Sequence, residues 1–308
     1  MALVLVTGGA GFIGSNLVRA LLERGDDVRV LDNFSTGNRA NLEGLDVEIV
    51  EGELRSYERV HNAVRGTEVV YHLGALGSVP RSVQDPLTSS AVNIEGTLNV
   101  LLAARDESVR RVVFSSSTSV YGSTRQLPTT EDSPSDPISP YGVAKLAAER
   151  YCISFSRVYP PFESVVLRYF NVFGERQSPF SQYAAVIPRF VTAIAAGEQI
   201  EIHGDGEQSR DFTYVGNVVD ATIRAGAAGG ASGEIFNVAA GSPASVNKLA
   251  DTIGEILGKS VERTHLPSRA GDIRDSWADL SKSKRVLGYA PLVGLEDGLR
   301  RTVEFLRA

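Results

Sequence analysis

The chain has 308 residues, 43% hydrophobic and 22% charged, with a formal net charge of −6, which is ordinary for a globular protein with room for about two domains. The acidic balance argues against nucleic acid as a partner, since phosphate backbones call for a basic surplus. A single cysteine, Cys152, excludes an internal disulfide, and with no apolar run near the ~18–20 residues of a membrane span and no signal-peptide pattern, a cytoplasmic protein without a membrane partner is expected.

The first predicted element is an apolar strand over Leu3–Thr7, followed at once by a helix over Gly11–Glu23 that Gly25 stops. Strands over Val28–Asp32, Val47–Glu51, Val69–Leu73, Val112–Ser116 and Ser164–Tyr169 then alternate with helices over Tyr57–Val64, Leu87–Arg105 and Tyr141–Val158. Strand runs this uniformly apolar suit a parallel sheet covered on both faces. The rhythm predicts an α/β fold with a doubly wound parallel sheet, the Rossmann arrangement. Pro128, Pro134, Pro137 and Pro140 make Gln126–Pro140 a loop. After Asn171 the pattern is less regular, broken by Pro179, Pro188, Gly204, Gly206 and the Gly226–Gly233 stretch. A smaller C-terminal α/β domain is expected there.

Between the first strand and helix lies Thr7-Gly-Gly-Ala-Gly-Phe-Ile-Gly14. Gly8, Gly11 and Gly14 let backbone approach a pyrophosphate, and Phe12 and Ile13 open a helix whose free N–H groups attract one. Asp32 ends the second strand, followed by Asn33. A carboxylate there accepts hydrogen bonds from ribose hydroxyls and repels a 2′-phosphate, favouring NAD over NADP; a turn-forming Asp is the other reading. Glu53 and Leu54 follow the third strand, where an adenine contact fits. His72-Leu73-Gly74-Ala75 closes the fourth, with Leu73 and Ala75 beside the dinucleotide and His72 read as structural rather than as a base.

Tyr141-Gly-Val-Ala-Lys145 begins a helix and puts phenol and ammonium on one face. A nearby ammonium and the positive nicotinamide of a bound cofactor both favour the phenolate, so the Tyr141 pKa is expected to fall towards neutrality. Tyr141 and Lys145 count among the cofactor residues, because Lys145 can also hold a cofactor ribose. The motif follows a strand ending in Ser115-Ser116-Ser117-Thr118-Ser119-Val120-Tyr121-Gly122, where a hydroxyl can relay a substrate proton.

With these residues in view, the chain resembles the extended short-chain dehydrogenase/reductase superfamily along its whole length. Further matching segments are Asn93-Ile-Glu-Gly96, Leu167-Arg-Tyr-Phe-Asn-Val-Phe-Gly174, Gly204-Asp-Gly-Glu-Gln-Ser-Arg-Asp-Phe212 and Arg269-Ala-Gly-Asp272 through Ser276-Trp-Ala-Asp279. Within it the chain is most similar to UDP-hexose 4-epimerases. Leu76-Gly-Ser-Val-Pro-Arg-Ser82 and Tyr183-Ala-Ala-Val-Ile-Pro-Arg189 resemble the branch acting on UDP-N-acetylglucosamine. The resemblance implies NAD as cofactor and Ser117, Tyr141 and Lys145 as the catalytic set. It adds Gly37 and Asn93 to the cofactor residues. It implies a substrate site of Ser78, Val79, Ser117, Thr118, Ser119, Tyr141, Asn171, Val186, Arg189, Ile202, Arg210, Arg269, Asp272 and Ser276, with no metal. The guanidinium forks of Arg210 and Arg269 match phosphate oxygens. Residues 1–171 would bind NAD and 172–308 the UDP-sugar, with about 211–240 returning to the first domain.

The implied reaction oxidises the sugar at C4 by hydride transfer to tightly bound NAD, turns the 4-keto sugar over, and reduces its opposite face. Dehydratases of this superfamily carry Asp-Glu before Val-Tyr-Gly, and decarboxylases Ser-Glu; here Thr118-Ser119 supplies no carboxylate. Ser276, small where some epimerases are bulky, implies tolerance of UDP-GlcNAc and UDP-GalNAc beside UDP-glucose and UDP-galactose. A UDP-uronate 4-epimerase and a non-catalytic NAD-binding regulator stay open as alternatives. The resemblance also implies a homodimer through Leu87–Arg105 and Tyr141–Val158, with Ala144, Ala147 and Ala148 allowing close approach; packing within one subunit is the alternative.

Overall fold

The computed structural model describes residues 2–123, 126–178, 185–268 and 274–307. The first half runs β1 (Leu3–Thr7), α1 (Phe12–Arg24), β2 (Asp27–Asp32), β3 (Glu48–Glu51), α2 (Tyr57–Val64), β4 (Val69–His72), α3 (Val79–Gln84), α4 (Pro86–Ser90), α5 (Gly96–Asp106), β5 (Arg111–Ser117), α6 (Pro140–Val158) and β6 (Glu163–Tyr169). The second half runs β7 (Val172–Phe173), α7 (Val186–Ala196), β8 (Ile200–His203), β9 (Ser209–Arg210), β10 (Thr213–Tyr214), α8 (Val215–Ala227), β11 (Glu234–Val238), β12 (Ala244–Ser245), α9 (Val246–Leu257), β13 (Arg263–Leu266), β14 (Asp275–Ser276), α10 (Ser281–Leu287) and α11 (Leu295–Arg307).

Seven strands form one sheet in the order β11-β6-β5-β4-β1-β2-β3, and every pairing in it is parallel. The apolar runs explain this burial on both faces. In β1, Val4 and Val6 enter one core while Leu5 enters the other; in β5, Val113 faces the first and Val112 and Phe114 the second. The period of two deals one continuous apolar run to two cores. The first core continues into the second half through Ile187, Phe190, Val246 and Leu249. Directly after Asn171, β7 has already left the main sheet, and small sheets β12-β9-β14 and β13-β8 form beside it. The chain then returns: β11 pairs with β6 through Glu234↔Val165 to Val238↔Tyr169.

Two local features differ from the sequence expectation. The single helix expected over Leu87–Arg105 is α4, a π-helical turn at Ala91–Glu95, then α5. Asn93, inside that turn, spends its amide on the Leu76 backbone (2.8 and 3.2 Å) rather than on its own helix surface. Helix α3 was not expected, because Pro80 interrupts a short stretch; the proline sits in the first turn, where its missing N–H costs nothing, behind a Ser78 cap that accepts Arg81 N–H.

Candidate active site

The glycine turn, Asp32 and Ser117 lie at the carboxyl ends of β1, β2 and β5, where open α/β sheets hold ligands. Gly8, with φ +69°, lies against the chain leaving β4, and a Cβ there would come within 2.8 Å of the Gly74 backbone. This brings Leu73 and Ala75 to the glycine turn. A Cβ on Gly14 would lie 2.1 Å from Gly8 O. No side chain caps α1, which begins at Phe12 after Gly11, and its first turn holds no acidic residue. Asp32 is 8% exposed. Its Oδ2 accepts Ala10 N–H at 2.9 Å and its Oδ1 accepts Phe34 N–H at 2.8 Å. Each oxygen keeps a second lone pair. The missing Cβ of Gly37 would stand 3.1 Å from Asp32 Oδ2. Backbone space beside the uncapped helix and an acceptor carboxylate one strand away fit a dinucleotide's pyrophosphate and ribose. Arg39 stacks on Phe34 at 3.9 Å and pairs with Glu51 at 2.6 Å at the surface.

The remaining predicted cofactor residues surround this turn with different tasks. Asn33 is exposed and closes a local turn through Ser35. Glu53 pairs with Arg55 at the surface, and Leu54 is buried with its carbonyl accepting Asn99 Nδ2 at 2.9 Å. Asn93, 2% exposed, holds the Leu76 backbone in place. His72 is buried. Thr7 Oγ1 accepts Gly74 N–H at 3.0 Å and is hydrogen-bonded to His72 Nδ1 at 2.7 Å. Thr97 Oγ1 donates to Asn93 O at 2.8 Å and so accepts from His72 Nε2 at 3.0 Å. The ring is a neutral Nε2–H tautomer with both nitrogens occupied, a structural residue. Burial and the nearby Lys145 charge push its pKa down to about 3.

Ser117 ends β5 and caps the 3-10 turn Thr118–Val120, accepting Ser119 N–H at 3.2 Å and donating to Ser119 Oγ at 3.1 Å. Ser139 caps α6 by accepting Gly142 N–H at 3.1 Å, with Pro140 in the first position. Tyr141 is therefore in the helix's first turn, and its phenol meets the Ser117 hydroxyl. Lys145, one turn on, is 3% exposed; its Nζ donates to Ser115 O at 2.8 Å and lies 6.0 Å from the Tyr141 ring centre. Burial lowers Lys145 to about 8, with the Glu149 carboxylate opposing.

The expected fall in the Tyr141 pKa is not produced by the chain alone. Burial pushes the phenol up to about 12, and the Ser117 hydroxyl opposes this only in part. Lys145, its Nζ committed to Ser115 O, does not offset this burial.

In the second half, β9 and β14 pair Arg210 with Ser276. Arg210 Nη1 donates to Ser209 O at 2.8 Å and to Arg274 O at 3.2 Å. Asn171, with φ +30°, donates to Asp211 O at 3.4 Å. Asp211 is buried. Its carboxylate accepts N–H from Ala240 (2.8 Å), Gly241 (3.0 Å) and Ala278 (3.3 Å), pinning the segment that carries Ser276; burial raises its pKa. Ser78 caps α3 and Val79 is exposed beside it. Val186 opens α7, and Arg189 is exposed, 4.0 Å from Glu201. Ile202 departs from the expectation: at 1% exposure it is packed into the core, because the period of two in β8 turns it inward with Ile200. Arg269, Asp272 and the Tyr183 end of its motif lie outside the described residues.

Sequence reasoning missed Glu149 and Arg168. The pair is buried, with Arg168 Nε and Nη2 donating to Glu149 Oε1 (2.9 Å) and Oε2 (2.7 Å), and Ser116 Oγ donating to Oε1 at 2.5 Å. Two signals were available: Glu149 lies four residues after Lys145, and Arg168 is a charge inside the apolar strand Val165–Tyr169. Among the described residues no helix is long and apolar enough to cross a membrane.

Residues 4–239 match the family described as the NAD dependent epimerase/dehydratase family. Three solved structures are similar over 99% of this chain. The UDP-glucose 4-epimerase of Thermotoga maritima with UDP-glucose is 40% identical, with 98% of that chain covered and a TM-score of 0.94. The UDP-N-acetylglucosamine 4-epimerase of Methanobrevibacter ruminantium, in complex with UDP-N-acetylmuramic acid, is 38% identical, with 98% covered and a TM-score of 0.95. The UDP-glucose 4-epimerase of Thermus thermophilus, complexed with NAD, is 36% identical, with 99% covered and a TM-score of 0.91.

Proposed function

Because the chain belongs to the NAD-dependent epimerase/dehydratase family, we propose that it inverts C4 of UDP-hexoses, taking UDP-GlcNAc and UDP-GalNAc as well as UDP-glucose and UDP-galactose. The observation that carries this reading is the meeting of Ser117, Tyr141 and Lys145 at the sheet edge that also bears the glycine turn, with Thr118 and Ser119 where a dehydratase would carry carboxylates. Similarity to epimerases of both glucose and N-acetylglucosamine nucleotides supports the broad sugar range.

NAD would lie with its pyrophosphate at Gly8–Gly14 and a ribose at Asp32 and Gly37. When bound it supplies a two-electron acceptor for C4 and, in oxidised form, the positive charge beside Tyr141 that the chain itself lacks. Tyr141 Oη takes the proton of the sugar 4-hydroxyl as C4 is oxidised, and returns it on reduction of the other face. Ser117 Oγ holds the same sugar oxygen. Lys145, held by Ser115 O, would bind a ribose of the cofactor. Arg210 anchors the diphosphate while the hexose turns over, and Ser276 leaves room for an N-acetyl group. The deciding experiment offers UDP-glucose, UDP-GlcNAc and UDP-glucuronate to the purified protein and follows C4 inversion by NMR. Conversion of the first two supports the reading. Turnover of the uronate alone, or of none, refutes it.

We further infer that two copies associate through α4 and α6. Ala144 and Ala148 are buried inside the subunit, so the contact falls instead on Leu87, Val143 and Tyr151, which are 83%, 51% and 41% exposed. A monomer in sedimentation velocity would sink this inference.

A further inference from the structure

The first turn of a helix leaves backbone N–H groups without helical partners. In α6 the Ser139 hydroxyl takes Gly142 N–H. The N–H of Tyr141 is taken from 59 residues away: it donates to Ser82 Oγ at 3.1 Å. Ser82 is 1% exposed and sits in α3. Its own hydroxyl proton goes to Val79 O at 2.7 Å. A hydroxyl has one proton, so with that proton engaged the oxygen can only accept from Tyr141. The arrangement is oriented at both ends.

We propose that Ser82 is a positioning residue for Tyr141, tying the backbone of the phenol-bearing turn to helix α3, whose opening residues Ser78 and Val79 border the hexose. The proposal rests on the epimerase reading and deepens it. Ser82 touches neither sugar nor cofactor. It fixes the Tyr141 backbone, and so the point from which the phenol reaches towards Ser117 and a sugar oxygen. The same hydroxyl joins the substrate side of the cleft to the base by two consecutive hydrogen bonds, Tyr141 N–H to Ser82 and Ser82 to Val79 O. A displacement of a reacting group by about 1 Å can cost on the order of a hundredfold in rate; one lost anchor among several is expected to cost about tenfold.

The test uses the NAD-loaded protein and two variants. Ser82→Ala removes the hydroxyl. Ser82→Cys keeps nearly the same volume but offers a weak acceptor. Both are expected to lower kcat for C4 inversion about tenfold with KM for the UDP-hexose within about twofold of wild type. In 13C-tyrosine-labelled holoenzyme, the Tyr141 ring signal, assigned with Tyr141→Phe, is expected to titrate at higher pH in both variants, because the phenol is less well held against Ser117. Wild-type kcat and titration in both variants would overturn the proposal. So would a defect in Ser82→Ala that Ser82→Cys repairs, since volume alone would then explain it. A rise in KM at constant kcat would assign Ser82 to the substrate wall and overturn it too. If the wild-type protein inverts no UDP-hexose, the epimerase reading fails by itself and the tyrosine titration alone decides the role of Ser82.

Discussion

His72 makes the stability of the fold depend on pH in a predictable direction. Its ring is fully buried between Thr7 and Thr97, and burial with the Lys145 charge lowers its pKa from 6.5 to about 3. An unfolded chain binds a proton at His72 below about pH 6.5, whereas the folded one does not until about pH 3. Between those values the unfolded state carries more protons, so stability is full above pH 6.5 and is lost as pH falls. At pH 5 the unfolded group is about one and a half units below its midpoint, and each unit is worth about 1.4 kcal/mol, which gives about 2 kcal/mol. The assay is urea unfolding at pH 8 and pH 5 for wild type and His72→Gln, whose amide can accept from Thr7 and donate to Thr97 without titrating. The variant is expected to be less stable at pH 8, through lost packing on Phe114, whose ring lies 5.6 Å away. Its further loss on going to pH 5 is expected to be about 2 kcal/mol smaller than that of wild type. Equal losses in the two proteins would refute the account of His72 as a buried neutral base.

Arg168→Met leaves the buried Glu149 carboxylate without its cation and is expected to cost about 3–5 kcal/mol in denaturant unfolding, with Arg168→Met/Glu149→Leu recovering much of it. No recovery in the double variant would mean that the ion pair does more than neutralise itself. Tyr141→Phe is expected to retain NAD and UDP in equilibrium binding while C4 inversion falls by at least about a hundredfold. Near-wild-type turnover would remove Tyr141 from the role of base.

What the sequence made legible follows the range over which each feature is determined. The six early strands and the glycine turn are local: apolar runs of period two and a Gly-rich strand-to-helix junction carry them, and the structure differs by a residue or two at most ends. The Ser117, Tyr141 and Lys145 cluster is local as well, because Tyr141 and Lys145 share a helix face and Ser117 ends the strand before it. Other parts depend on distant partners. The Leu76 backbone takes the amide of Asn93, a partner 17 residues away that the helical spacing does not show. Ile202 lost its place at the substrate because alternation in β8 points it into the core. The state of Tyr141 could not be read from its spacing to Lys145, since it depends on how deeply the phenol is buried and on where the ammonium is already bonded. Ser82 stood out only as the end of a matching motif: a serine in a proline-broken stretch shows nothing of a backbone N–H in another helix.

The return of β11 to the edge of β6 has a mechanical consequence. The polypeptide leaves the main sheet after β6, comes back through α8 and β11, and leaves again, so the second half of the chain is tied to that sheet at more than one crossing. Any displacement of the small sheets against the main one has to bend the chain at each of these crossings, while the five-residue ladder keeps β11 on β6. The small sheets β8–β13 and β12–β9–β14 are thus carried on the main sheet as on a fixed anvil.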